Sequence, residues 1–197
     1  MSGQRQMNIE DKFRQMIVKL ASDIEDEDLP MIKVAVYDII NNAGSIENAS
    51  TIEVFTLLQN GANIGATNVG LLYEIFEVTG LQDLHKIIDQ YYYPRPSSTH
   101  MISEFRRMLV DLGKTLQKEE VESVARLYGV KRKDSKSSWD LVNSLTRQLK
   151  LDDNIETMNS FIALLLDQEN LKNILQIVGS FVRQKQENQR VHGMEMD

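Results

Sequence analysis

Cysteine is absent from the 197-residue sequence, which excludes disulfide scaffolds, zinc-thiolate sites and cysteine nucleophiles. Only three prolines and ten glycines interrupt the chain, so long stretches are free to form regular secondary structure. The longest apolar runs, such as residues 161–166, are far shorter than the roughly 20 residues that cross a bilayer. Because the start of the chain also lacks the apolar stretch of a signal peptide, we expect a cytoplasmic protein without membrane contact.

The composition is that of a globular protein, with 42% hydrophobic and 26% charged residues. The charge is uneven, since residues 1–93 carry 6 Lys+Arg and 14 Asp+Glu, whereas residues 94–197 carry 16 and 15. Nucleic-acid binding requires dense Lys and Arg, so we expect no nucleic-acid partner. The one basic cluster, at residues 131–136, lies among serines without interleaved aromatics. We interpret it as a solvated loop in preference to an anion or membrane site.

Apolar residues recur at helical spacing, and the pattern occurs twice along the chain. Residues 12–20 place their apolar side chains on one helix face, and residues 104–112 repeat this arrangement 92 residues later. At an offset of 87, residues 50–58 and 83–88 correspond to residues 137–145 and 170–175. The repetition predicts an internal duplication of an all-helical unit.

The prolines at 94 and 96 and the serines that follow them predict a break between the two copies. We therefore predict a first unit at 1–93, a linker at 94–100, a second unit at 101–184 and a flexible tail at 185–197. Each unit should contain about six short helices. The predicted spans are 10–21, 26–39, 44–48, 51–59, 67–78 and 81–90 in the first, then 102–114, 118–128, 130–136, 138–148, 154–166 and 168–184 in the second.

The apolar faces of these helices predict two hydrophobic cores. The first should contain Phe13, Leu20, Ile32, Phe55, Leu58, Leu72, Ile75, Phe76 and Leu84. The second should contain Phe105, Leu112, Val124, Trp139, Leu141, Leu145, Ile162, Leu165 and Leu171.

Residues that carry chemistry are few. His85, His100 and His192 are isolated and lack the spacing of a helical metal site, and the glycines at 61, 65 and 70 match no phosphate-binding fingerprint. We expect no catalytic residue, no cofactor and no metal, so an all-helical enzyme is retained only as a formal alternative. The acidic run at 23–28 lacks the glycine and final glutamate of a calcium loop. It is interpreted as helix N-terminal charge or as an exposed face for a basic partner.

Six short helices, duplicated across a short linker, resemble the tandem death effector domains of initiator caspase prodomains and FLIP-type regulators. Residues 71–76 and 82–88 carry the resemblance, because they are similar to the family's fifth helix and to the R-x-D-L segment that opens its sixth. Asp28 and Glu120 match the acidic residue of the family's second helix. Leu81 and Gln168 stand where the family has arginine, and Asn170 replaces the second aspartate, so neither copy has the family's complete charge triad.

The resemblance implies an all-α fold of two tandem six-helix death-fold bundles joined by a short linker. It also implies a non-enzymatic adaptor or regulator that binds a death-fold adaptor or a caspase prodomain homotypically. Such a protein would self-associate or form filaments, and would assemble or modulate a caspase-activating apoptotic signalling complex. The alternative is a general helical-repeat scaffold unrelated to cell death.

Eight charged residues are the candidate contributors to protein binding, although plain solvation explains each of them equally well. They are Glu27, Asp28, Asp83 and Lys86 in the first copy, and Arg106, Arg107, Glu119 and Glu120 in the second.

Overall fold

The computed structural model of the protein describes residues 8–40, 43–92, 94–96 and 100–194. The chain folds into two compact units, Met1–Ser103 and Glu104–Asp197. The described residues contain eleven α-helices and three short 3-10 turns, and no strand beyond an isolated bridge between Gly65 and Asn68. The predicted all-helical fold is confirmed.

The first unit contains six of these α-helices. They are α1 (Ile9–Asp23), α2 (Leu29–Val36), α3 (Ala43–Ile46), α4 (Thr51–Asn60), α5 (Gly70–Thr79) and α6 (His85–Asp89). A 3-10 turn at Gln82–Leu84 precedes α6. Helix α1 packs on α4 and α6, while α2 packs on α5.

Local sequence sets the helix ends of the first unit. Asn8 caps α1, since its side-chain oxygen accepts a hydrogen bond from the backbone N–H of Asp11 at 2.8 Å. At α4, the Glu53 carboxylate accepts the Ser50 backbone N–H at 2.7 Å within a capping box. These bonds satisfy backbone groups that have no partner inside the helix.

Helix α5 is the central element of the first unit, because every residue from 70 to 76 is buried. Phe13 of α1 and Phe55 of α4 are also fully buried in the core of this unit. The predicted core residues of this unit are buried except for Leu84, which is partly exposed in the 3-10 turn.

The second unit contains the other five α-helices of the described chain. They are α7 (Glu104–Thr115), α8 (Lys118–Leu127), α9 (Ser138–Arg147), α10 (Ile155–Leu165) and α11 (Lys172–Met194). Where a weak third helix was expected at 130–136, there is only a 3-10 turn at Arg132–Asp134, and another turn at Glu169–Leu171 precedes α11. Helix α7 packs on α9 and α11, and α10 packs on α11.

The core of the second unit follows the prediction with two exceptions. Trp139 and Ile162 are partly exposed, while the other predicted core residues are buried. Trp139 stands at the start of α9, where its ring lies against Gly113 of α7.

Helix α11 corrects one predicted boundary, because it continues to Met194 through most of the segment expected to be a flexible tail from 185. Phe181 and Val182 are buried, and the Lys185 ammonium binds the carboxylate of Asp153. These anchors hold the helix where the tail was expected to begin, and the residues that follow are mostly good helix formers. Parts of the predicted units, linker and tail lie outside the described residues, namely 1–7, 41–42, 93, 97–99 and 195–197.

Candidate interaction surfaces

Asp83 and Lys86 form an exposed ion pair at the start of α6. The Lys86 ammonium lies 2.6 Å from the Asp83 carboxylate, and the side chains of Lys86 and Asp83 are 77% and 92% exposed, respectively. The hydrogen bond from Lys86 lowers the pKa of Asp83. An exposed pair of this kind contributes little to stability, so both groups are available to a partner. The structure thus brings together two of the predicted binding residues.

The end of α1 and the loop before α2 present five carboxylates, which we call the acidic corner: those of Asp23, Glu25, Asp26, Glu27 and Asp28. All are exposed except Asp28, which is half-buried and precedes α2 without making a side-chain cap bond. A hydrogen bond shared with the Glu27 carboxylate raises the pKa of Glu25, and the charges of Glu27 and Asp28 act in the same direction. The corner is therefore a crowded patch of negative charge.

Two of the four binding residues predicted in the second unit are not on the surface. Arg106 is buried, with its guanidinium carbon 5.7 Å from the centre of the Phe105 ring. Glu120 is also buried, and its carboxylate accepts the backbone N–H of Gln117 at 2.7 Å in the capping box of α8. Neither side chain fits the role of an exposed contributor that the sequence suggested.

The other two predicted residues of the second unit remain accessible. Glu119 is exposed in the first turn of α8, and Arg107 is partly exposed, with its guanidinium 3.9 Å from the carboxylate of Glu104. Both side chains are therefore exposed enough to contact a partner.

The first unit holds a polar cluster that sequence patterns did not predict. The Tyr73 hydroxyl donates to Asp89 at 2.7 Å, and the Arg95 guanidinium binds both oxygens of that carboxylate at 3.1 and 2.8 Å. Arg95 also lies over the Tyr73 ring, 5.2 Å from its centre. The Arg95 hydrogen bonds lower the pKa of Asp89, whereas burial and the bond to Asp89 raise that of Tyr73.

Close to this cluster, the Glu74 carboxylate is 1% exposed. Its two oxygens accept the backbone N–H groups of Met101 and Ile102, each at 3.0 Å. Glu74 and Arg95 also line a cavity of about 500 Å³ together with Tyr73, Glu77, Gln82, His85 and Pro96. The carboxylates of Asp89 and Glu74 therefore bind the segment that follows α6, the first through Arg95 and the second through the backbone of residues 101 and 102. The only sequence signal was a lone arginine between two prolines.

In the second unit, an open groove of about 920 Å³ runs between α8 and the start of α9. We call it the α8–α9 groove. Its floor includes the buried side chains of Leu116, Val121 and Ala125, and its rim carries Lys118, Arg126, Arg132 and Lys136. The basic cluster interpreted as a solvated loop therefore forms one edge of a groove that has an apolar floor.

Residues 13–93 match the family model of the death effector domain. Over this span the chain is similar to death effector domains. Comparison with curated proteins and with solved structures finds no match. The matched residues begin in α1 and end shortly after α6, so the similarity lies within the first compact unit. Such domains are non-catalytic interaction modules.

The sequence predicts that neither copy has the family's complete charge triad, and no such triad forms among the described residues of the first unit. Asp83 pairs with Lys86, and no hydrogen bond or ion pair joins it to Asp28 in the part of the chain that the structure describes. In the second unit the corresponding Asn170 amide donates to the Ser123 hydroxyl of α8 at 3.2 Å. A hydrogen bond between uncharged side chains thus joins α8 to the 3-10 turn before α11, where the family's triad would place charged groups.

Across residues 8–40, 43–92, 94–96 and 100–194, no group of three His, Asp or Glu side chains is arranged to hold a metal ion. His85 instead contacts the Tyr73 carbonyl oxygen at 3.1 Å, and the side chain of His192 lies outside the described residues. No described helix is both long and apolar enough to span a membrane.

Proposed function

We propose that the protein is a non-enzymatic adaptor or regulator that binds other death-fold domains homotypically and assembles or modulates a caspase-activating apoptotic signalling complex. The observation that carries this proposal is the death effector domain at residues 13–93. Domains of this family are associated with homotypic protein contacts in apoptotic signalling. Death-fold adaptors and caspase prodomains in the cytoplasm are the proposed partners.

We also propose that the second unit is a second death effector-like domain. Its 3-10 turn at Glu169–Leu171 follows the turn at Gln82–Leu84 by 87 residues, which is the offset of the sequence repeat. The capping box of Ser50 and Glu53 at α4 recurs at the same offset as that of Ser137 and Asp140 at α9. Corresponding helix starts support common ancestry of the two units.

The end of α9 strengthens this correspondence. Two residues after the end of α4, Ala62 adopts a left-handed conformation (φ 57°), and two residues after the end of α9, Leu149 does the same (φ 54°), again 87 residues later. A left-handed non-glycine residue is uncommon. Its presence after both helices supports a duplication. The division into two compact units likewise favours this interpretation over a helical-repeat scaffold with one continuous core.

Exposed charge gives the proposed contacts their orientation. The acidic corner and the Asp83–Lys86 pair lie on the surface of the first unit, and Glu119 and Arg107 are accessible in the second. Charges at the edge of an interface mainly affect the association rate and the choice of partner, more than the final affinity. Loss of one such contact should therefore weaken assembly without unfolding the protein.

The proposal is tested with the purified chain by sedimentation velocity and by pull-down with a death effector domain adaptor and a caspase prodomain. Asp28→Ala combined with Asp83→Ala should reduce association. Asp167→Ala combined with Glu187→Ala removes the same charge from exposed positions of the second unit and should not. Absence of both self-association and death-fold binding in the unaltered protein would contradict the proposed function.

A further inference from the structure

The α8–α9 groove combines an apolar floor with an excess of positive charge. Leu116, Val121 and Ala125 of the floor are each less than 9% exposed, yet the groove above them is open and large enough to admit side chains of a partner. Lys118, Arg126, Arg132 and Lys136 line it, against one lining carboxylate, that of Glu122. An apolar floor with a cationic rim fits an acidic protein segment better than a purely polar polyanion.

The four rim cations have no ion-pair partner among the described residues. By contrast, three other cations of the described chain each bind a carboxylate: Lys86, Arg95 and Lys185. Glu122 is the one carboxylate among the lining residues and forms no ion pair with the rim cations in the described chain. Asp140 accepts the Ser137 backbone N–H at 3.1 Å, and Asp134 is half-buried in the 3-10 turn. The lining of the groove therefore keeps an excess of positive charge.

The first unit carries the complementary surface. No lysine or arginine occurs between Lys19 and Lys33, and the five carboxylates of the acidic corner form no ion pair among the described residues. The corner is also held in place, because Ile24 is buried and its N–H binds the Leu20 carbonyl at 3.2 Å, while the Asp28 N–H binds the Glu25 carbonyl at 3.0 Å. A preformed segment loses little conformational freedom on binding.

We propose that the α8–α9 groove binds the acidic corner of a second copy of the chain. This inference rests on the proposed homotypic function and names one of its contact surfaces. The four rim cations receive the corner's carboxylates, and the apolar floor receives the flanking half-buried Leu29.

Such a contact is heterologous, since it joins different surfaces of the two copies. Each joined pair leaves one unused corner and one unused groove, so that further copies can add at both ends. Because the contact depends on several exposed charges, its strength should fall as salt shortens the Debye length from about 10 Å at 0.1 M to about 3 Å at 1 M. The crowding that raises the pKa of Glu25 would be relieved by the cations, so association should also weaken as the carboxylates become protonated.

The test is a charge swap followed by sedimentation velocity over a range of protein and salt concentrations. Arg132→Glu with Lys136→Glu reverses the groove, and Glu25→Lys with Glu27→Lys reverses the corner. Each double variant alone should self-associate at least about tenfold more weakly, which corresponds to about 1.4 kcal/mol. A mixture of the two should recover association, because the unaltered corner of the groove variant meets the unaltered groove of the corner variant, and the two reversed surfaces also complement each other.

Matched controls separate the groove from general charge effects. Lys150→Glu reverses an exposed cation of the second unit outside the groove lining, and Glu77→Lys reverses an exposed carboxylate of the first unit outside the corner. Both should associate as the unaltered protein does. Thermal unfolding followed by circular dichroism verifies that every variant is folded.

Three outcomes would overturn the inference. Unchanged association of the groove variant, in a protein that self-associates, rejects the groove while leaving the proposed function intact. Weakened association of the groove variant together with unchanged association of the corner variant rejects the corner as occupant and indicates an acidic segment elsewhere. Lack of any self-association also rejects a second copy as partner, and the pull-down with death-fold domains then decides the proposed function independently.

Discussion

Gly113 of α7 lies directly against the indole ring of Trp139 on α9. A Cβ atom placed on Gly113 would come within 2.0 Å of Cζ3 and 2.4 Å of Cε3 of the indole. Real Cβ contacts are essentially never this short, so the whole indole ring would have to move to make room. The absence of a side chain at 113 therefore permits the close packing of α7 on α9 that the second unit needs.

Substitution of this glycine should destabilise the protein although alanine is the better helix former. Gly113→Ala is expected to lower the free energy of unfolding by about 1–3 kcal/mol, the usual cost of overpacking a core. The measurement is urea denaturation followed by fluorescence of Trp139, the only tryptophan of the chain.

Gly179 provides the matched control, since it lies inside α11 and a Cβ atom at this position would have no neighbouring atom closer than 3.9 Å. Gly179→Ala should raise stability by about 0.5–1 kcal/mol, because alanine loses less conformational freedom in a helix. Equal responses of the two variants would contradict the role assigned to the Trp139 contact.

Glu74 should be important for the stability of the first unit. Glu74→Ala removes the acceptors of the Met101 and Ile102 N–H groups, and hydrogen bonds to a charged group contribute about 1.5–3 kcal/mol. We expect a loss of about 2–4 kcal/mol by chemical denaturation, together with faster hydrogen exchange at the amides of residues 101 and 102. Glu77→Ala, at an exposed position of the same helix, should change neither observable.

The helical fold was predictable because it is encoded in local patterns. Apolar spacing along α1 and α7 identifies the buried faces, and the Ser50–Glu53 pair marks the start of α4 before any tertiary contact is known. The repeat adds a second, independent indication of the same unit.

Contacts that join distant residues were not predictable. Glu74 meets the amide of Ile102 across 28 positions, and nothing in its own surroundings distinguishes it from the exposed Glu77. Arg106 follows the buried Phe105 yet is itself buried, against the general preference of arginine for solvent. Sequence periodicity predicts which face of a helix is apolar, but not which polar side chain finds a partner there.

Arg95 should make stability depend on pH in the acidic range. Its hydrogen bonds lower the pKa of Asp89 in the folded protein, so the pair contributes stability above the ordinary aspartate pKa of about 3.9 and loses it as the pH falls through the folded value. Arg95→Gln should therefore lower the melting temperature slightly at pH 7, and the difference from the unaltered protein should narrow below about pH 4.

The control for this pH effect is Arg190→Gln, an exposed position of α11 with no ion pair in the described chain. It should show no pH-dependent difference. A melting-temperature difference for Arg95→Gln that stays constant between pH 7 and pH 3 would show that the Asp89 charge is not responsible.

Leu149 should be replaceable by glycine with a gain in stability. After α9, the Leu149 N–H binds the Thr146 carbonyl at 3.0 Å and the Lys150 N–H binds that of Leu145 at 2.8 Å. This is the helix ending that favours glycine at its left-handed position. Gly129 occupies that position after α8 with φ 63°, whereas Leu149 adopts φ 54° with a side chain that is 69% exposed.

A left-handed conformation costs a non-glycine residue about 1–2 kcal/mol, while glycine costs about 0.5–1 kcal/mol in chain entropy. Leu149→Gly should therefore raise the free energy of unfolding by up to about 1 kcal/mol, because little apolar burial is lost. Gly129→Ala is the reverse change at a site with no neighbouring atom within 4 Å, and it should be destabilising. A loss of stability in Leu149→Gly would instead show that the exposed leucine side chain makes contacts that outweigh its backbone strain.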